Sequence, residues 1–304
     1  MIDIPNGRYW DLPWSLVDGC TPCSPGCDHC WSAAIAHRFT QTGWKLPGKP
    51  KFRVTGPDGK FDGFIVTHPE RLSIPLKRRK PTVWAVWNDL YHEAVPESFR
   101  VNAYATMVPS KRHTFLILTK RASVMADFLS PHTCFKEPAF ENIWHGLTVC
   151  NQQEADAKIP VFLQVPGKKF LSIEPMLGAI DLKLSCIKCQ HYTDAECPSN
   201  SGGQCAMRPP IDAVILGGET GPGARPMHPD LVRSVRDQCA AAGVPFFFKQ
   251  WGEWMPVPPC GGLDAPKREW RNLDNDTSVW RIGRNLSGRL LDGRTHDDLP
   301  WVKP

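Results

Sequence analysis

Seven short apolar runs recur along the chain, separated by helix-like sequence, and they leave few folds open. They are WSLVDG (14–19), TVWAVW (82–87), HTFLILT (113–119), NIWHGLTV (142–149), KKFLSIE (168–174), DAVILGG (212–218) and VPFFFKQW (244–251). Most are nearly continuous rather than alternating, which is how strands covered on both faces of a parallel sheet read. The segments between them include SAAIAHRFTQ (32–41), PESFRVNAYATMV (96–108), RASVMADFL (121–129) and HPDLVRSVRDQCAAAG (228–243), the last with a Gly stop. Strand and helix alternating this regularly predict an α/β fold, a partial (βα) TIM-like barrel.

Three stretches interrupt the alternation. Residues 42–81 are rich in Gly, Pro and Lys and end in the basic run Lys77, Arg78, Arg79 and Lys80; this reads as a solvated loop or as a phosphate contact. Residues 183–210 form a Cys-rich insert, and the tail from about 255 to 304 reads as a small strand-and-turn extension of a barrel spanning 1–254.

Composition narrows the class. With 41% hydrophobic and 22% charged residues among 304, wholesale disorder, a coiled coil and a collagenous repeat are excluded. No apolar run approaches the ~18 residues of a membrane span, and the start has neither a basic nor a continuous apolar leader segment. The expectation is a cytoplasmic protein with no membrane partner. A net charge of +5 is compatible with a polyanionic partner and equally with ordinary solubility.

Polar residues gather where the predicted strands end: Asn88 and Asp89, Thr119 and Lys120, Thr148 and Asn151, Glu174, then Gly217, Gly218 and Glu219, and finally Lys249 and Gln250. In parallel α/β architectures these ends converge on the active site. Any one of them alone is an ordinary turn residue or cap; their recurrence at strand after strand marks a candidate catalytic face.

Twelve cysteines in a chain without a leader imply metal rather than disulfides. GCTPCSPGCDHCW places Cys20, Cys23, Cys27 and Cys30 directly after the first predicted strand. Read from Cys23 the spacing is C-x3-C-x2-C, and from Cys20 it is C-x6-C-x2-C. Either triad suits three irons of a [4Fe-4S] cube with the fourth left open, and the four thiols together suit a tetrahedral zinc.

C-x3-C-x2-C after the first strand of such a barrel resembles the signature of radical S-adenosylmethionine (SAM) enzymes. The wider pattern is similar to a phage- and prophage-associated radical SAM-like branch, mostly of unassigned function. The residues that carry the likeness are GC-x6-GC-x2-C with Trp31, HPERL (68–72), WNDLYHE (87–93), LILTKR (116–121), GLTVCNQ (146–152), FLSIEPMLG (170–178), GGETGPGARPMHPD (217–230), FFFKQWGEW (246–254) and GRLLDGR (288–294). That branch uses the longer first gap, which implies Cys20, Cys27 and Cys30 as cluster ligands with Cys23 as the alternate.

The resemblance implies that the open iron chelates SAM and that one electron, from a donor such as flavodoxin or ferredoxin, cleaves its carbon–sulfur bond to give a radical that abstracts hydrogen. Asp89, Thr119, Thr148, Asn151, Gly217, Gly218 and Glu219 are then candidate cofactor-binding residues, and Glu174 and Lys249 candidate catalytic ones. Lys120, Arg225 and Lys249 suit a carboxylate or phosphate. A phage context, the net charge and the basic run favour a base in DNA as substrate, a modified thymine undergoing rearrangement, in an infected or lysogenic bacterial host, with Lys77 to Lys80 and the Cys-rich insert holding the DNA over the barrel mouth. Such a base would be flipped out of the duplex. The competing readings are a radical SAM enzyme on a small metabolite or peptide, and a non-catalytic zinc protein associated with nucleic acid.

Cys186, Cys189, Cys197 and Cys205 in the insert have the spacing of a closed zinc knuckle, or of a second iron–sulfur cluster. Cys134, Cys150, Cys239 and Cys260 are scattered and read as packing residues.

Overall fold

The computed structural model describes residues 7–41, 53–130, 140–184, 210–257 and 269–302. Strand β1 (Leu12–Ser15) opens the chain, followed by the short β2 (Val17–Asp18) and helix α1 (Trp31–Gln41). Strand β3 (Val66–Thr67) pairs antiparallel with β2, and α2 (Ile74–Lys77) precedes the regular repeat. That repeat runs β4 (Val83–Trp87), α3 (Glu97–Met107), β5 (Thr114–Thr119), α4 (Ala122–Leu129), β6 (Ile143–Thr148), α5 (Gln152–Phe162), β7 (Lys168–Ile173), β8 (Ala213–Gly217), α6 (Pro229–Ala242) and β9 (Phe246–Gln250). Seven strands form one sheet in the order β1-β4-β5-β6-β7-β8-β9, every pair parallel, curled into a half-barrel.

Six of the seven runs read from sequence contain one sheet strand each. The first straddles the end of β1 and β2, because β1 begins at Leu12 and includes Pro13. A proline is tolerated there because β1 is an edge strand paired only with β4. Helix α5 is absent from the expectations: Pro160 inside it breaks the helical pattern, although Asn151 caps it by accepting from the Glu154 amide at 2.9 Å. Helix α6 has the predicted punctuation, with Pro229 in its first turn and Gly243 left-handed at φ +65° after its last.

The sheet separates two apolar layers. Its outer face, including Phe115, Ile117, Ile143, Leu147, Leu171, Val214 and Phe248, packs against the helices. Each fully buried side chain of this kind stabilises the fold by about 1.5–3 kcal/mol relative to exposure. The concave face is narrower: Val83, Leu116, Trp144, Phe170, Ala213, Ile215 and Phe247 meet Tyr9, Leu299 and Trp301. The Trp301 ring lies 4.9 Å from Trp144 and 5.6 Å from Phe170, and its indole N–H donates to the Tyr9 carbonyl at 2.9 Å. The two ends of the chain thus form an aromatic floor inside the half-barrel.

The tail first builds an antiparallel sheet of β10 (Trp254–Val257), β11 (Trp270–Asn272) and β12 (Ser278–Arg281), then α7 (Arg284–Ser287), before returning to that floor. Among the described residues no helix is long and apolar enough to cross a membrane.

Candidate functional site

Side chains alternate along a strand, so residues two and four beyond a floor residue share its face. From Leu116 and Leu118 that places Lys120 on the concave side, from Trp144 it places Thr148, from Phe170 it places Ser172 and Glu174, and from Ile215 it places Gly217. A polar tier therefore stands above the aromatic floor, at the carboxy-terminal strand ends. Within it the Lys249 ammonium lies 2.8 Å from Glu174 Oε1, and the Ser172 hydroxyl donates to Glu174 Oε2 at 3.2 Å. Lys249 also lies 5.7 Å from the centre of the Tyr9 ring. A Cβ on Gly217 would stand 2.7 Å from Glu174 Oε1, so glycine there leaves room for the carboxylate.

The cysteine loop crosses this same end, held by two arginine clamps. On one side Asp89, buried after β4, accepts from the Thr119 hydroxyl at 2.7 Å and from the Tyr91 amide at 3.0 Å, and pairs with Arg121 Nη1 at 2.5 Å. Arg121 also pairs with Glu93 at 2.9 Å, donates to the Thr21 carbonyl at 2.9 Å and reaches Cys20 Sγ at 3.8 Å. Thr21 Oγ1 lies 2.8 Å from His92 Nε2. On the other side Glu219, also buried, takes Arg225 Nη2 at 2.6 Å, Arg225 Nε at 2.9 Å and His29 Nδ1 at 3.2 Å. Arg225 continues to the Pro25 carbonyl at 2.9 Å and to Asp28 at 3.3 Å. Burial pushes the Glu219 carboxyl up, but the hydrogen bonds from Arg225 outweigh it and hold it below the usual carboxylate range.

Asp89, Thr119 and Glu219, predicted as cofactor-binding, thus hold the cysteine loop in place. Asn151 caps α5 with its side chain. Gly218 lies so close to the Trp251 carbonyl that a Cβ would stand 2.0 Å from it. Thr148 is buried on the concave face, beside the tier that contains Glu174 and Lys249.

The thiols share one environment. Cys20, Cys27 and Cys30 are half-buried and Cys23 is exposed. A hydrogen bond from the Cys23 thiol, aided by the nearby Lys120 ammonium, pulls Cys27 down to about 5, whereas burial pushes Cys20 up to about 11. Burial pulls the Lys120 ammonium down, yet Cys27, Cys150, Cys30 and Cys23 around it outweigh that and keep it raised. Cys150 belongs to this group. Its Sγ is 3.7 Å from Ser24 Oγ, and a Cβ on Gly26 would lie 2.4 Å from it. The sequence reading took Cys150 for a packing residue and passed over Arg121, whose signal was its place directly after a strand end, beside Lys120.

Among the described residues no three His, Cys, Asp or Glu side chains converge on a single point, as one ion would require. A cube differs, because each thiolate binds a separate iron, and an all-thiol set held beside an ammonium fits that demand. Cys186, Cys189, Cys197 and Cys205, like Cys134 and Cys260, lie outside the described residues.

Residues 6–300 match a family described as a protein of unknown function, DUF5131. The chain belongs to that family. The match takes in the whole half-barrel, both arginine clamps and the tail as far as Pro300, one residue short of Trp301. No curated protein and no solved structure matches it.

Proposed function

We propose that this DUF5131 protein is a radical SAM-type enzyme whose cysteine loop holds a [4Fe-4S] cluster, and that it rearranges or otherwise modifies a base in DNA. The observation that carries the reading is the loop itself: four thiols latched by Arg121 and Arg225 across the mouth of a half-barrel, facing a concave polar tier. When bound, the cluster would pass one electron from a donor such as flavodoxin or ferredoxin to SAM and so supply the radical chemistry. Cys20, Cys27 and Cys30 would hold the cluster, with Cys23 as the alternate third ligand. Lys120 offsets thiolate charge at the inner side of the loop. Glu174 and Lys249 orient a polar group of the substrate or of SAM, and the aromatic floor below them excludes water from that end of the cavity. The resemblance of the sequence motifs supports the radical assignment, and the net charge of +5 is compatible with a nucleic-acid substrate.

The test is anaerobic reconstitution with iron and sulfide, followed by dithionite and SAM. Wild-type protein is expected to gain iron–sulfur absorption and release 5′-deoxyadenosine, while C27A retains the fold and loses both. Full iron in C27A, or zinc without sulfide in the wild type, would sink the reading.

A further inference from the structure

The basic run lies at the opposite end of the sheet from the cysteine loop. Lys77, Arg78, Arg79 and Lys80 precede β4, so they sit at its amino-terminal end, whereas Asp89 and the thiols lie past its carboxy-terminal end. The segment from Thr82 to Asp89 separates them by about 20 Å at roughly 3.3 Å per residue. The expectation that these cations sit over the barrel mouth is therefore corrected. They rim a separate open groove of about 520 Å³, whose other walls are Leu12, Pro13, Ile74 and Trp84.

Two features of this groove are unusual for a bare surface. Lys77, Arg79 and Lys80 are exposed, and among the described residues no carboxylate pairs with them; Arg78 donates through Nε to Thr82 Oγ1 at 2.6 Å. His113, which follows Arg112 and immediately precedes β5, has its Nε2 3.0 Å from the Pro75 carbonyl and 3.2 Å from that of Arg78, tying the basic turn to the sheet. The second feature is Trp84. It lines the groove at 3% exposure, and its buried indole N–H has no acceptor among the described residues.

We propose that this groove is a nucleic-acid docking site, separate from the mouth, that grips the phosphodiester backbone of duplex DNA. Consecutive unneutralised cations are what counterion release rewards, and phosphate contacts of this kind position a duplex without reading its sequence. Lying at the other end of the sheet, the groove tethers DNA without contacting the reacting base. The inference deepens the nucleic-acid part of the function above and does not depend on its radical part.

The experiment is fluorescence anisotropy of a labelled duplex of about 20 base pairs, titrated between roughly 50 and 200 mM salt. K77A/R79A/K80A is expected to weaken binding at least tenfold at the low end and to reduce the salt slope by about 0.9 per lost phosphate contact. Thermal stability is expected to stay unchanged, because all three side chains are exposed. The charge-matched variant K183A/R284A/R294A is expected to bind like wild type. An equal loss in the charge-matched variant, an unchanged slope in the triple variant, or no duplex binding by wild type at low salt would overturn the proposal. So would binding confined to anionic vesicles. Failure of 5′-deoxyadenosine release with duplex binding intact would count against the radical reading alone.

Discussion

Arg121 joins the sheet to the cysteine loop through one guanidinium: Nη1 lies 2.5 Å from Asp89 Oδ2 and Nη2 2.9 Å from the Thr21 carbonyl. Both members of the ion pair are largely buried, with side-chain exposures of 6% and 9%. Removing one partner of such a pair strands the other's charge, at a cost of about 3–5 kcal/mol. R121A is therefore expected to lower the melting temperature and, under the proposed function, to reduce iron incorporation, since Cys20 and Thr21 lose their anchor. R121K keeps the charge but loses the planar fork, and is expected to recover only part of each quantity. Calorimetry and iron assay on the same preparations check this; R121A with wild-type stability and iron content would contradict the clamp.

The loop is also seated by a contact across the chain, between Gly26 and Cys150. A Cβ at Gly26 would lie 2.4 Å from Cys150 Sγ, closer than real contacts allow. G26A is expected to destabilise by about 1–3 kcal/mol, the usual cost of overpacking. Removing the opposing sulfur should relieve it, so G26A/C150A is expected to be more stable than G26A alone. Denaturant unfolding of both single variants and the double variant measures the coupling. Strict additivity would show that the two residues do not meet.

These two contacts separate what was legible in the sequence from what was not. The strands were legible because burial on both faces leaves runs such as TFLILT and AVILG nearly free of polar residues. The strand-end rule likewise located Asp89, Glu174, Glu219 and Lys249 at one end of the sheet. Their partners were not legible. Asp89 meets Arg121 from the next strand end, Glu219 meets Arg225 and a cysteine loop about 190 residues upstream, and Cys150 meets Gly26 and Ser24 from the far side of the sequence. Local pattern carries no information about such pairings. The basic run shows the same limit: its charge was read correctly, but its end of the barrel follows only from lying before β4 rather than after it.

The Glu174–Lys249 pair should affect chemistry more than folding. At 16% and 27% exposure the side chains are partly solvated, so breaking the pair costs far less than breaking a buried one. E174Q and K249M are each expected to keep the iron content and a melting temperature close to wild type. Under the proposed function each is expected to lower 5′-deoxyadenosine formation by about 100-fold, the scale set by misplacing a reacting group by an ångström. Single-turnover assays with reduced protein decide it. Wild-type rates in both variants would remove the pair from the site.

A buried imidazole should set part of the acid stability. His145 is fully buried in β6, its Nε2 2.8 Å from the Tyr104 hydroxyl, which in turn lies 2.5 Å from the Tyr91 hydroxyl. Burial, with a smaller contribution from Lys169, lowers its pKa to about 3. The unfolded chain has an ordinary imidazole near pH 6.5, so unfolding takes up a proton between that pH and about 3. The folded state is therefore at no disadvantage from this residue above pH 6.5, and loses stability as the pH falls below it. The slope from this one group is about 1.4 kcal/mol per pH unit once the unfolded imidazole is protonated. H145Q keeps a polar partner for Tyr104 but does not titrate. It is expected to be less stable than wild type at pH 7, and the gap is expected to narrow or reverse by pH 4. Urea melts of both proteins across that range check the sign: a gap independent of pH would mean that His145 is not held neutral by the fold.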